Sequence, residues 1–244
     1  MQKNWISAGL MSGTSGDGID ASIIETDGIN HYHLIKDKYY EYDSGIYKDI
    51  HNLKEKINKI DHLKINKNEL NELERKITIF HAKIVEELKI SDHAIIGFHG
   101  QTIYHNPKEK ISRQLGNGKL LSQLTKKKVV FDFRSNDILN GGQGAPLTPV
   151  FHHLISIQKK MKLPVCFLNI GGISNITIVK DKSELSDLVS RDIGPGNCLI
   201  DSWVRKNSKK RFDQDGLLAL SGTRNEIIFE QAQELYMNRN SKKK

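Results

Sequence analysis

The sequence predicts a mixed α/β fold whose second half restarts the layout of the first, and three observations carry that expectation. Residues 5–42 hold three strand-like runs joined by short polar turns, the pattern of an antiparallel meander. Over residues 68–90, Leu70, Leu73, Ile77, Phe80, Ile84 and Leu88 recur at spacings of three and four, one apolar stripe of a helix. Apolar runs then end repeatedly in loops of small or glycine residues, at 12–18, 99–102, 132–144, 169–175 and 192–197. Those loops fall on both sides of a boundary expected near 148–160.

In order, WISAGLM at 5–11 reads as the first strand and runs into Ser12-Gly13-Thr14-Ser15-Gly16-Asp17-Gly18. Residues 19–26 and 31–42 supply the second and third strands. A weakly amphipathic helix over 46–60 precedes the striped one. His81 lies beside that stripe and reads as a packed or surface histidine rather than a ligand. A buried-type strand at 94–98 ends in His99-Gly100-Gln101-Thr102. A turn at 115–118 then leads to a short helix, 119–127, and to Val129-Val130-Phe131, which carries Asp132 at its end. Arg134 and Asp137 follow, with a loop of Gly141, Gly142, Gln143 and Gly144: a strand that delivers a carboxylate, then backbone able to approach a ligand closely.

Beyond a helix at 151–161, a strand at 165–168 and its hairpin partner at 176–179 flank the loop 169–175. A run at 188–190 leads through Asp192-Ile193-Gly194-Pro195-Gly196-Asn197 to a helix beginning near Leu199. The last helix, 225–236, has apolar residues in need of a partner and stops in Asn238-Arg239-Asn240-Ser241 and lysines. The second half holds too few elements to close a sheet with helices on both faces. Domains of 1–150 and 151–244 are therefore expected, the second incomplete.

Composition narrows the classes. The chain of 244 residues is 37% hydrophobic and 27% charged, enough to bury a real core. No apolar run approaches a membrane span, and no signal-peptide core stands at the N-terminus. Cys166 and Cys198 lack a CxxC partner and sit among apolar residues, so buried free thiols in a reducing, cytoplasmic setting are expected. The net charge of +8 gathers at Lys126-Lys127-Lys128, at Lys206, Lys209, Lys210 and Arg211, and at Lys242-Lys243-Lys244. Without a basic stripe interleaved with aromatics, a solvated surface is expected and no nucleic-acid partner.

Glycine loops with oriented amides suit phosphate. Together with Asp17, Asp20, Asp132 and Asp192 they suggest a nucleotide–metal cleft, since carboxylates hold Mg²⁺ and one poised near an acceptor takes its proton. Other chemistries fit less well. There is no GxxxxGK[ST] loop. The first glycine loop joins two strands instead of opening a helix, against a dinucleotide fold. Ser15 is not in a G-x-S-x-G elbow. His99, His105 and the His152-His153 pair lack transition-metal spacing.

MSGTSGDGID at 11–20, GFHGQT at 97–102, DFRSNDILNGGQGAP at 132–146, NIGGISNIT at 169–177 and DIGPGN at 192–197 together closely resemble the anhydro-N-acetylmuramic acid kinase family. The match is collinear over about 6–224, and the long block after Asp132 is its most specific part. The resemblance implies the actin-like ATPase and sugar kinase (ribonuclease H-like) fold, two related domains around a nucleotide cleft. It implies a cytoplasmic kinase of cell-wall amino-sugar recycling, which uses ATP and Mg²⁺, opens the anhydro bridge with water and phosphorylates the sugar. No membrane partner is expected, and homodimerisation stays open.

Carried over, Gly13, Thr14, Ser15, Gly16, Asp17, Gly18, Ile19 and Asp20 match the family's ATP-phosphate loop, and Asp132 matches its general base. His99, Gly100, Gln101, Arg134, Asp137 and Gln143 are candidates for holding the sugar and its lactyl carboxylate, which an arginine fork suits. A purely structural Arg134–Asp137 ion pair is the alternative. Asn169, Gly171, Gly172, Asn175, Asp192, Gly194, Gly196 and Asn197 are expected to face phosphate from the second domain, with Asp17 and Asp192 as metal ligands. Family members continue past this chain and carry a late glycine-rich segment that seats adenosine. Its lack here implies a fragment or a truncated product, and a non-catalytic binding remnant or a kinase for another sugar are the competing readings.

Overall fold

The computed structural model describes residues 4–181 and 188–241. In it β1 (Trp5–Ser12), β2 (Gly18–Thr26) and β3 (Tyr32–Glu41) form the antiparallel meander the sequence predicts. Strand alternation turns Ala8, Leu10 and Ser12 of β1 inward, and Ile19, Ala21 and Ile23 of β2 with them. This face packs against α1 (Ser44–Lys56) and α3 (Lys67–Glu87), with the short α2 (Ile60–Ile65) between them.

α1 starts where the Asp43 carboxylate accepts the Gly45 and Ile46 N–H groups, and it buries Ile46, Ile50 and Leu53. α3 buries Leu70, Leu73, Ile77 and Ile84, as its stripe requires, and His81 among them. Each fully buried aliphatic side chain contributes about 1.5–3 kcal/mol, so this apolar face and not helix propensity holds α3 to the sheet. His81 is 0% exposed; its Nδ1 lies 2.8 Å from the Ile77 carbonyl and its ring meets Phe98 edge-on.

β4 (Ile95–Asn106) is the central strand. It pairs in parallel with β1 on one side and with β6 (Lys128–Phe131) on the other. Its second half pairs antiparallel with β5 (Ile111–Leu115), completing a six-stranded sheet. The strand expected at 94–98 therefore runs on to Asn106, because β5 supplies partners for residues 101–106. α4 (Gly118–Thr125) is capped by Asn117, which accepts from the Leu120 N–H. It ends before the expected 127 because Lys126 turns left-handed, at φ 58°. α5 (Ser135–Leu139) and α6 (Pro149–Gln158) follow.

A second, antiparallel sheet has the order β7 (Val165–Ile170), β8 (Ile173–Val179), β9 (Val189–Pro195). Most of the loops expected at 169–175 and 192–197 are strand. The reversal is confined to Gly171-Gly172, while Asn169 sits opposite Asn175, and Asn175 opposite Asp192. Pairing on both sides of β8 satisfies backbone that the composition alone assigns to loops. The expectation of buried thiols is also corrected. Cys166 is exposed, on the outer strand β7, and Cys198 is half-buried.

The chain divides into two compact units, Met1–Gly196 and Asn197–Lys244. The second contains α7 (Cys198–Asn207), a 3-10 turn at Gln214–Gly216, α8 (Leu217–Leu220) and α9 (Glu226–Ser241). Asp213 there accepts the Leu218 and Ala219 N–H groups. α9 continues through 238–241, where the sequence suggests a stop. The basic cluster Lys242-Lys243-Lys244 lies outside the described residues. Among the described residues no helix is long and apolar enough to cross a membrane.

Candidate active site

Three parallel strands end at one edge of the large sheet. Leu10 of β1, Phe98 of β4 and Phe131 of β6 stand in one row across it. Just beyond that row β1 releases Ser12 and the 13–18 loop, β6 releases Asp132, and β4 between them carries His99, Gly100 and Gln101. Neighbouring strands lie about 4.8 Å apart, so the loop and Asp132 emerge roughly 10 Å from each other. The carboxyl ends of parallel strands are where open α/β sheets bind ligands.

The first loop is held from inside. Gln101 is 0% exposed; its Nε2 donates to the Gly13 carbonyl at 3.0 Å and to the Thr102 carbonyl at 3.2 Å. The Ser12 hydroxyl lies 2.6 Å from Gln101 Oε1 and 3.0 Å from the Gly18 carbonyl, and it accepts from the Tyr42 hydroxyl at 3.1 Å. Gln101 thus faces into the loop it supports, not outward as a sugar contact. Gly16 has φ +69°, and a Cβ there would stand 2.8 Å from Ile50 of α1. Only glycine fits.

Lys54 of α1 donates to the Thr14 carbonyl at 2.5 Å, and Ser15 donates to the Asp17 carboxylate at 2.6 Å. Partial burial, then the charge of Asp17, pushes the Asp20 carboxyl above its ordinary value. The Ile19 side chain is buried in the core, so only its backbone is available to a ligand.

On the other side of β4, Asp132 adopts φ +60°, a left-handed turn that aspartate tolerates better than most residues. Ser135, at the start of α5, donates to Asp132 Oδ1 at 2.5 Å. Arg134 donates to the Gly144 carbonyl and to His99 Nε2, the latter at 2.8 Å. A guanidinium has only donors, so Nε2 accepts and the His99 proton sits on Nδ1, which donates to the Gly100 carbonyl at 2.6 Å. Burial first, and the Arg134 charge second, lowers the His99 pKa to about 4. The imidazole is neutral at ordinary pH.

Asp137 accepts the Gly144 N–H at 2.6 Å. Arg134 and Asp137 therefore both bind Gly144, one at its carbonyl and one at its N–H, instead of pairing with each other. Gly144 has φ +67°, and a Cβ would strike Ile138 at 2.7 Å.

His105 extends the cluster: its Nδ1 lies 2.9 Å from the Ser112 hydroxyl, and it hydrogen-bonds to the Gln143 backbone. Burial and then Arg134 lower its pKa, while Gln143 and the charge of Asp192 act the other way. Asp192 also acts on Arg134, so β9 brings this carboxylate toward the same group. A pocket of about 190 Å³ opens beside Asp132, lined by Phe98, His99, Ser112, Arg113, Gln114, Gly116, Phe131 and Ser135.

The remaining candidates collect elsewhere. Asn169, Gly171, Gly172, Asn175, Gly194 and Gly196 lie at the turn end of the second sheet, where the Gly196 N–H donates to the Gly172 carbonyl at 3.0 Å. Asn197 opens α7 in the second unit. Among the described residues no three His, Cys, Asp or Glu side chains converge as a metal site. Sequence reasoning missed Ser112, Gln114, Ser135, Tyr42 and Lys54. A signal existed for the first two, the short run Ile111-Ser112-Arg113-Gln114-Leu115 closed by Gly116, but it is too brief to stand out.

A family model described as anhydro-N-acetylmuramic acid kinase matches residues 5–243. The chain is 54% identical over 247 residues to the anhydro-N-acetylmuramic acid kinase of Pelagibacter ubique (strain HTCC1062), covering 100% of this chain and 66% of that one. The enzyme of the same name from Agrobacterium fabrum (strain C58 / ATCC 33970) is 39% identical, over 88% of this chain and 59% of the relative. That from Gluconobacter oxydans (strain 621H) is 37% identical, over 91% and 62%. The chain thus spans between 59% and 66% of the length of these relatives. Among solved structures it is similar to an exopolyphosphatase-like protein, at TM-score 0.39 and 14% identity over 83% of this chain and 59% of that one, too loose to bear on the fold.

Proposed function

The chain belongs to the anhydro-N-acetylmuramic acid kinase family, and from that membership we propose an ATP-dependent kinase acting on 1,6-anhydro-N-acetylmuramic acid. Water adds to the anomeric carbon, the bond from that carbon to the bridging oxygen breaks, and the freed oxygen at position six takes the γ-phosphoryl group. The products are N-acetylmuramic acid 6-phosphate and ADP, with one proton passing to the base and then to solvent. The setting is amino-sugar recycling in a cytoplasm. The fold is read as actin-like, with domains 1–150 and 151–244 around the nucleotide.

One observation supports the reading: Asp132 follows the end of β6 and the 13–18 loop follows the end of β1, at the same edge of the sheet with only β4 between them. Asp132 is the base that takes the proton of the attacking water, because neutral water is a poor nucleophile. His99 is unsuited to that task. Its accepting nitrogen is occupied by Arg134, and its pKa is lowered to about 4. Ser135 holds one oxygen of Asp132 and leaves the other for water.

Arg134 has neutral hydrogen-bond partners in Gly144 and His99 and only the longer-range charge of Asp192 opposite it, so its guanidinium is the group to receive the lactyl carboxylate. The 13–20 loop would receive the phosphates, with residues 169–175 and 192–195 approaching from the second sheet. Mg²⁺ would sit beside Asp17 and Asp20, whose mutual repulsion a divalent cation would relieve. Asp192, expected as a ligand, does not converge with them into a three-carboxylate site. Bound beside Asp17 and Asp20, the ion would neutralise charge on the transferring phosphoryl group.

Incubation of the chain with ATP and 1,6-anhydro-N-acetylmuramic acid, beside the 54% identical Pelagibacter enzyme as positive control, tests the reading. Release of ADP and of the 6-phosphate is expected, and Asp132→Asn should slow it about 10²–10⁴-fold. No product from the wild-type chain while the control turns over, or full activity in the variant, would overturn it.

A further inference from the structure

The pocket beside Asp132 holds an unmet hydrogen-bond demand. Gln114 lies on β5, opposite Thr102 of β4, and lines the same space as Asp132, Ser135 and His99. Its Nε2 reaches the Ser112 hydroxyl at 3.3 Å, but its Oε1 is buried with no hydrogen-bond partner. A buried acceptor without a donor is destabilising, and native proteins keep few of them. The surrounding wall is firm. Arg113 is paired with Glu74 at 3.0 Å, and Glu74 also accepts the Gly116 N–H at 3.2 Å. Arg113 Nη1 serves Glu74 and the Gln114 main-chain carbonyl, and the Gly116 N–H serves Glu74; neither reaches Gln114 Oε1.

The other lining groups narrow what could. The walls near Gln114 combine the rings of Phe98 and Phe131 with the Ser112 hydroxyl, an apolar surface beside a small polar set. The guanidinium of Arg113 is neutralised by Glu74, so this part of the pocket does not call for an anion. A neutral group with one N–H donor, one carbonyl and a methyl meets all of these features. That is an acetamido group. Its N–H would go to Gln114 Oε1 and its methyl against Phe131, the exposed ring of the two. The space of about 190 Å³ has room for such an arm and part of the ring that bears it.

We propose that Gln114 is a specificity-determining residue that recognises the 2-acetamido group of the sugar and so sets the selectivity for N-acetylated over unsubstituted anhydrosugars. The proposal rests on the kinase reading above and deepens it. It also orients the reaction, because fixing the substituent at position two fixes the neighbouring anomeric carbon relative to Asp132.

Equilibrium binding tests it without requiring turnover. Titration calorimetry of the chain with 1,6-anhydro-N-acetylmuramic acid, and with its 2-deoxy analogue lacking the acetamido group, gives an affinity ratio. A hydrogen bond that satisfies a buried acceptor should make that ratio roughly tenfold to a hundredfold in the wild type. Gln114→Leu should bring the ratio close to one by weakening only the acetylated ligand, with the melting temperature recorded to confirm folding. Gln114→Asn, one methylene shorter, is the second variant and should likewise lose the preference.

Equal affinity for both ligands in the wild type, or a ratio unchanged in a folded variant, overturns the role of Gln114. An equal loss on both ligands means that Gln114 only shapes the pocket, and overturns it too. Failure of the wild-type chain to bind either sugar instead overturns the kinase reading on which the role rests.

Discussion

As the proposed base, Asp132 depends on the residues around it as much as on its own chemistry. It follows Phe131 at the end of β6, and its left-handed backbone turns the chain at once into α5. That sharp turn puts Ser135 within 2.5 Å of Oδ1, so the carboxylate is held by a residue three positions along its own chain. Ser135→Ala should leave the fold intact, since Ser135 is not among the buried core residues. If Asp132 is the base proposed above, the change should also let its carboxylate rotate away from the attacking water. Kinetics of the variant should give a kcat lower by roughly tenfold with KM little changed, the pattern of a lost transition-state orientation. Ser135→Thr should restore most of the rate. A variant that raises KM alone would mean that Ser135 contacts substrate instead of positioning Asp132.

At the scale of elements, the link between β1 and β4 matters most. β4 supplies Gln101, whose amide holds the Gly13 carbonyl and the Ser12 hydroxyl, and Tyr42, in the link between β3 and α1, closes the group. Gln101→Ala would remove three hydrogen bonds at once from a fully buried position. It should destabilise the protein by about 1–3 kcal/mol in chemical denaturation and weaken binding of a non-hydrolysable ATP analogue. Loss of stability with unchanged nucleotide affinity would mean that the loop keeps its shape without this anchor. The meander, α3 and the strand leading to Asp132 are legible in sequence because each is a local pattern of period two or 3.6, bounded by turn residues. The Ser12–Gln101 bond joins residues 89 positions apart, and no local pattern announces it. β5 escapes notice for a related reason: its five residues become a strand only because β4 runs past Phe98 to meet them. Glycine and asparagine at 169–175 read as loop by composition, yet antiparallel partners on both sides of β8 decide the outcome.

For the whole molecule, two buried histidines link the site to acid stability. His81 on α3 and His99 on β4 lie close enough to act on each other, and both have pKa values lowered to about 4, chiefly by burial. In the unfolded chain each returns to an ordinary value near 6.5. Between those limits the unfolded state binds protons that the folded state refuses, so stability rises with pH across the window. It is complete above about pH 6.5 and is lost progressively as pH falls toward 4. Each shift corresponds to about 3 kcal/mol at most, and the two together are comparable to half the stability of an ordinary domain. The midpoint of urea denaturation should therefore hold steady from pH 8 to 7 and drop between pH 6.5 and 4. His81→Leu keeps an apolar side chain against Phe98 and removes one of the two titrations, so its profile should flatten across this window. His99 would still titrate, and a residual slope should remain. A variant whose profile falls as steeply as that of the wild type would show that the acid sensitivity arises elsewhere, because His81 is the only group the change removes.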